Sequence, residues 1–277
     1  MKNFCSFCND ALIKIIVVCA LLAFVLFIIF VAGISNNFQT VLTSNETLST
    51  KKIEWGIKRG KDHAQPDLGA ENLGIINKLN GMAMGNKDKK YIYLTFDIGF
   101  EAGYTSKILD ILKENNVPAA FFITGQYVKT SEDLLKRMVS EGHIIGNHTV
   151  NHICMPTSSI EKVKEEVMNL HKEVYEKINY EMKYIRPPKG EYSEASIACT
   201  NDLGYTTVMW SFAYDDWEDQ KQGREEYGKK KILENLHNGE IMLLHATSKD
   251  NCNILDEIIK KIKEEGYEFK SLDEFER

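Results

Sequence analysis

The chain has 277 residues, 34 of them basic and 40 acidic, for a formal charge of −6. That length fits one large domain or two small ones and excludes a peptide hormone or a disulfide mini-protein, for which six cysteines are too sparse a framework. Hydrophobic residues make up 43%, enough for a core, and the mild acidity supplies no basic face of the kind that grips nucleic acid.

From Ile15 to Ile34 no charge occurs (IIVVCALLAFVLFIIFVAGI). At about 1.5 Å rise per residue such a helix spans about 30 Å, one hydrocarbon core. The run is longer than the apolar stretch of a cleaved signal peptide, and Val31-Ala32-Gly33 is a poor cleavage site, so a retained transmembrane anchor is expected over 15–34. Lys2 and Lys14 lie on its N-terminal side, and no Lys or Arg occurs between Ser35 and Thr50. That asymmetry puts residues 1–14 in the cytoplasm and the rest outside. Residues 35–53, rich in Ser, Thr and Asn, read as a flexible stalk. Cys5 and Cys8 form a C-x2-C without a second pair, too little for a zinc site. Cys154, Cys199 and Cys252 are an odd number beyond the anchor, so at least one stays free and no disulfide is assigned.

The exported part alternates strand and helix. Strands are expected at 91–97, 119–124, 143–146, 183–186, 205–211, 240–245 and 267–270. Helices are expected at 105–115, 132–141, 160–178, 193–203, 229–237 and 254–265. The clearest is the third. Ile160, Val163, Val167, Leu170, Val174 and Ile178 form one apolar stripe, and Ser158 with Glu161 reads as a capping box. Pro187-Pro188 forbid helix after the fourth strand, and Gly204 stops the fourth helix.

Such alternation means a parallel sheet with helical cover, as a (β/α) barrel or an open doubly wound sheet. No G-x-G-x-x-G follows the first strand, which weighs against a nucleotide-binding sheet. The ionisable residues favour the barrel, in which function gathers at the C-terminal ends of the strands. Asp97 closes the first strand, His148 and His152 follow the third, and Arg186 closes the fourth. Asp215, Asp216 and Trp217 follow the fifth, and His245 closes the sixth.

His148 and His152 are spaced i, i+4, so one helical turn would put both imidazoles on one side, a usable metal-ligand pair. Asp97 at a strand end is partly buried and needs a partner. Arg186, whose guanidinium can hold a carboxylate bidentately, supplies it, either as a structural ion pair or to orient a base. His245 can give a proton near neutral pH. A base, an acid and a Lewis acid together fit hydrolysis of an acyl group by water. No G-x-S-x-G elbow competes.

Thr95-Phe96-Asp97-Ile98-Gly99 resembles the TFDDG signature of polysaccharide deacetylases, the carbohydrate esterase family 4 or NodB-homology domain. His148 to His152 is similar to its H-[ST]-x-x-H motif and Arg186-Pro187-Pro188-Lys189-Gly190 to its R-x-P-[YF] motif. Trp210 to Trp217 resembles its D-x-x-D-W region and Leu243-Leu244-His245 its L-x-H motif. The resemblance implies a distorted (β/α) barrel of seven or eight strands over 90–277, with 54–89 as a pre-barrel segment. It implies Asp97 as catalytic base, Arg186 as its orienting residue, His245 as catalytic acid, and His148 and His152 as ligands of a divalent metal such as zinc. The Lys189 N–H would help hold the oxyanion, and Lys189, Asp216 and Trp217 would meet the sugar.

The departures are specific. The family's second Asp, a metal ligand, is Ile98 here, which implies weak or dispensable metal binding. The first Asp of D-x-x-D-W falls on Ala213, and the aromatic of R-x-P-[YF] on Lys189. TFDIGFEAGYT, WSFAYDDW and the upstream segment with Trp55, His63, Pro66 and Gly69 are similar to the subgroup of muramic δ-lactam-forming de-N-acetylases. That subgroup implies peptide-stripped N-acetylmuramic acid in peptidoglycan as substrate, a setting in spore cortex, and Lys189 against the lactyl carboxylate. A conventional metal-dependent deacetylase of chitin, xylan or N-acetylglucosamine, and a degenerate glycan-binding module, are the alternatives. Retention of both Asp97 and His245 opposes the latter.

Overall fold

The computed structural model describes residues 48–218 and 221–277. The anchor expected over 15–34, with Cys5, Cys8 and Cys19, lies outside the described residues, as does the stalk through residue 47. Among the described residues no helix is long and apolar enough to cross a membrane.

Residues 49–277 form one unit built on a parallel sheet. Strand β1 (Ile53–Glu54) pairs antiparallel with β6 (Glu191–Tyr192), outside the main sheet. The main sheet runs β7 (Thr206–Thr207), β5 (Tyr184–Ile185), β4 (Ile144–Asn147), β3 (Ala120–Ile123), β2 (Tyr91–Ile98), β8 (Glu240–His245), with β9 (Glu268–Phe269) beside the start of β2. The expected fifth strand is laddered only at Thr206–Thr207, and its continuation crosses to the other side of the sheet. There Phe212 bridges Met242 of β8, with Leu243 N donating to Phe212 O at 2.9 Å. Met82 from the pre-barrel segment bridges Val208 and closes the gap below. The sheet is therefore a curled, parallel half-barrel whose ends are drawn together by one segment.

Helices cover its outer face: α1 (Ala70–Lys78), α2 (Thr105–Glu114), α3 (Gly125–Thr130), α4 (Glu132–Ser140), α5 (Ile160–Ile178), α6 (Glu194–Asp202), α7 (Glu225–Glu234) and α8 (Lys249–Glu264). The period of two along each strand sorts the side chains. Ile92, Leu94, Phe96 and Ile98 of β2 join the apolar layer beneath the helices, as do Phe121, Ile123, Met242 and Leu244. The alternate set, Tyr93, Ala120, Phe122, Ile144, Tyr184 and Ile241, packs together in the lumen.

Several boundaries differ from the sequence pattern, each for a local reason. The N-cap of α5 is Ser159, whose side chain accepts from Lys162 N at 3.2 Å. Ser158 instead donates to Cys154 O at 2.9 Å, so the expected Ser158–Glu161 box does not form. Helix α8 starts at Lys249, five residues before the apolar stripe, because its first turn is polar and capped by Ser248. Helix α7 likewise begins at Glu225 rather than Lys229. The last residues of the expected stalk are tied down: Ser49 O accepts from Ala195 N at 3.1 Å, and Ile53 pairs with Tyr192. Cys154, Cys199 and Cys252 are all free.

Gly146 on β4 faces the lumen, where a Cβ would come within 2.5 Å of the Phe122 ring. That ring in turn lies 4.2 Å from the guanidinium carbon of Arg186. Gly146→Ala is expected to destabilise by about 1–3 kcal/mol, the range for overpacking. A lower urea midpoint at unchanged m would register it, with a drop in turnover because Phe122 backs Arg186.

Candidate active site

The lumen-facing set ends in the ionisable residues. Asp97 closes β2, His148 follows β4, Arg186 follows β5 and His245 closes β8. In the parallel register Asp97 and His245 are direct neighbours. All sit at the C-terminal end of the half-barrel, as expected.

Arg186 is fully buried. Its Nη1 donates to Asp97 Oδ1 at 2.8 Å, its Nε to Val208 O at 3.1 Å and its Nη2 to Met209 O at 3.2 Å. Burial alone would raise the Asp97 carboxyl. The charge of Arg186 and its hydrogen bond reverse that and hold it below the usual carboxylate range, so Asp97 is ionised at neutral pH.

His148 and His152 are brought together, though not by a helical turn. They sit in a loop in which Thr149 and His152 take left-handed φ of 63° and 53°. Glu166 of α5 ties that loop, accepting from Asn151 N at 2.8 Å and Asn151 Nδ2 at 2.7 Å. The two rings meet edge to face, centroids 4.9 Å apart. His148 Nδ1 donates to Arg186 O at 2.8 Å, which leaves Nε2 as a bare lone pair 3.6 Å from Asp97 Oδ2. Burial lowers His148, and it pushes His152 down to about 4, so both imidazoles are neutral ligands. Ile98 is fully buried beneath the helices and donates nothing. Among the described residues no group of three or more His, Cys, Asp or Glu is placed to hold a metal ion. The donors thus fit a divalent cation held by two imidazoles, one ligand short of the usual catalytic zinc site.

His245 rests on Asp216. Its Nδ1 donates to Asp216 Oδ1 at 2.8 Å, and its backbone N donates to Oδ2 at 2.7 Å. Burial lowers this histidine, but the Asp216 carboxylate carries it above the usual range. Asp216, expected to meet the sugar, is therefore corrected. It is only 4% exposed, and its oxygens are taken up beneath His245. Asn251, buried in the first turn of α8, donates to the same carboxylate and accepts from Tyr214. Next to it, Asp250 accepts from Gly223 N and Arg224 N, both at 2.8 Å, and so fixes the end of that loop. Neither Asn251 nor Asp250 was expected. Their one sequence signal is a polar run, Lys249 to Asn253, directly after the His245 strand.

These groups open into a cleft of about 1290 Å³. Trp217 stands on its rim, 53% exposed, its ring centroid 5.7 Å from that of His245. Phe100 is exposed on the same cleft. Lys189 lines it from a left-handed residue, φ 59°, and makes no ion pair among the described residues. Trp55 of the pre-barrel segment lines it too and donates through Nε1 to Trp210 O at 2.9 Å.

The sequence profile of the polysaccharide deacetylase family matches residues 84–208. The chain is 41% identical over 230 residues to the peptidoglycan-N-acetylmuramic acid deacetylase PdaA of Bacillus subtilis, covering 83% of this chain and 88% of that protein. The chain belongs to the polysaccharide deacetylase family. The solved structure of B. subtilis PdaA, a family 4 carbohydrate esterase, superposes with a TM-score of 0.80 over 82% of this chain and 98% of that one. A family 4 carbohydrate esterase from Bacillus anthracis superposes with a TM-score of 0.70 at 42% identity, over 83% and 98%. A peptidoglycan-N-acetylglucosamine deacetylase of Bacillus cereus is 34% identical over 69% of this chain and 90% of its own length. As a polysaccharide deacetylase, the chain is a hydrolase of amide-linked acetyl groups, and its family is generally metal-dependent.

Two outcomes are expected. An acid must carry its proton, and a raised His245 keeps it until the pH passes that raised value. Asp216→Asn removes the carboxylate and should move the alkaline limb of the kcat profile to lower pH, which a pH titration of turnover would read. A two-imidazole site should also hold metal loosely. Gel filtration in chelator-free buffer should strip it, as metal analysis would show, whereas a three-ligand site would keep about one equivalent.

Proposed function

We propose that the chain de-N-acetylates N-acetylmuramic acid in peptide-stripped peptidoglycan, leaving an amine that closes onto the lactyl carboxyl as the δ-lactam, with loss of water. The observation that carries this is a carboxylate backed by Arg186 and an imidazole backed by Asp216 on adjacent strands, with an unpaired cation in the same cleft. Asp97 takes a proton from the attacking water. The tetrahedral carbon then collapses, the C–N bond breaks, and His245 gives its proton to the departing amine. Acetate and free amine are the products. Arg186 holds Asp97 ionised and aimed, and Asp216 does the same for the protonated His245. A divalent cation on His148 and His152 would polarise the acetyl carbonyl. Trp217 offers an apolar face to the sugar.

Lys189 is the substrate selector in this reading. N-acetylmuramic acid carries a lactyl carboxylate that N-acetylglucosamine lacks, and stripping the stem peptide frees its charge. A cation at the position of an aromatic meets that charge. The similarity to a muramic acid deacetylase supports the same substrate. Tethering by residues 15–34 would hold the cleft against the wall outside the cell, and the lactam belongs to spore cortex in spore formers.

Acetate release from peptide-stripped muramic glycan tests the reading. Asp97→Asn should lower turnover by about 10²–10⁴. Lys189→Ala should raise KM on the muramic glycan and leave N-acetylglucosamine oligomers unaffected. Full activity of Lys189→Ala on muramic glycan would remove the selector role. No release by the native chain, with glycan binding intact, would favour a binding module.

A further inference from the structure

Arg59 lies in the same cleft and takes no part in the chemistry above. It comes off a fixed ribbon. Trp55 N donates to Gly190 O at 3.0 Å, and Lys58 and Asp67 exchange backbone bonds of 2.9 Å on either side of the turn. The guanidinium is held at one corner and one face only. Its Nη2 donates to Ala213 O at 2.8 Å, and its carbon lies 5.7 Å from the centre of the Phe212 ring. Arg59 is exposed and makes no ion pair among the described residues. Asp215, the acid on that wall, is engaged by Arg224, Lys221 and Tyr227. Ala213 brings no carboxylate of its own. An arginine aimed by a carbonyl and an aromatic face, with its other donors free, is a receptor arranged in advance for a carboxylate.

Its position differs from that of Lys189. Lys189 adjoins Gly190, where Trp55 N docks, and so sits at the Trp55 end of the ribbon. Arg59 lies four residues farther along that ribbon, against Ala213 O and the Phe212 ring. The two cations therefore serve different places along a bound strand. In the peptide-stripped glycan a lactyl carboxylate recurs on every second sugar, so a strand that offers one to Lys189 offers the next a disaccharide away.

We infer that Arg59 is a specificity-determining residue that binds the lactyl carboxylate of a second muramic residue, one repeat from the sugar being deacetylated. This rests on the muramic reading given above. It makes the enzyme a reader of the alternating polymer rather than of a single sugar, and it gives the pre-barrel ribbon a part in substrate choice.

The test uses two peptide-stripped oligosaccharides. One is a trisaccharide with one N-acetylmuramic residue, and the other is a pentasaccharide with two. The native chain should prefer the pentasaccharide. Arg59→Ala should lose about tenfold in kcat/KM on the pentasaccharide, the worth of one charge-assisted pair, and almost nothing on the trisaccharide. Arg59→Lys should keep part of the preference. Amidating the carboxylates with carbodiimide should erase the difference between native and Arg59→Ala. Equal loss on both sugars, or no loss on either, would overturn the inference while leaving the muramic reading standing. Absence of native turnover on either sugar, with turnover on N-acetylglucosamine oligomers, would instead overturn the muramic reading, and this inference with it.

Discussion

A guanidinium with no access to water organises this site. Removing Arg186 from solvent is costly unless every face is answered. Here Asp97 answers one end, the carbonyls of Val208 and Met209 answer the others, and Phe122 and Trp210 lie against its faces. Its own carbonyl fixes the tautomer of His148. One residue thereby sets the ionisation of the base and the orientation of a metal ligand. The dependence runs back into the fold. Phe122 reaches Arg186 only because Gly146 carries no side chain, and Val208 and Met209 present their carbonyls only because the crossing segment links β5 to β8. Pro187 and Pro188 then send the chain across the mouth of the cleft, where Lys189 takes a left-handed conformation.

The parity of the strands places Ile98 outside the cleft. Asp97 and His245 belong to the lumen-facing set, and Ile98 to the other. A residue at position 98 that stays in register points beneath the helices, between Phe96 and Ile123. An isoleucine there completes the apolar layer, and its side chain has no atom that could bind a metal. Asp97, one residue before it, faces the lumen instead, because neighbours on a strand face opposite ways.

Much of this was legible in the sequence. Strand ends that each deliver an ionisable group can be read from apolar runs and the residues that close them. Asp97, His148, Arg186 and His245 stand out in this way, and the fold brings them to one end of the half-barrel. Periodicity is blind to polar turns that are buried for hydrogen bonding. The first turn of α8 carries Asp250 and Asn251 inward and has no apolar stripe, so both its start and its support of Asp216 escaped notice. The histidine loop failed differently. An i, i+4 spacing suggested a helical turn, whereas two left-handed residues and Glu166 produce the same juxtaposition of rings. The family resemblance alone puts Asp216 against the sugar. Only the position of β8 against the preceding loop places it under His245.

The division of labour between base and acid follows from these supports. Asp97 and His245 are adjacent across two strands, and buried alone each would drift toward its neutral form. Arg186 sits behind one and Asp216 behind the other, opposite charges behind opposite roles. The carboxyl is pushed down and the imidazole up, so their titrations are driven apart in the sense that an acid–base pair requires. A pair of titrating groups driven apart by their surroundings is already an acid and a base before substrate arrives. With Ile98 and Ala213 where the family resemblance implies acids, the chain still carries the opposed charges behind Asp97 and His245 on which the proposed hydrolysis rests.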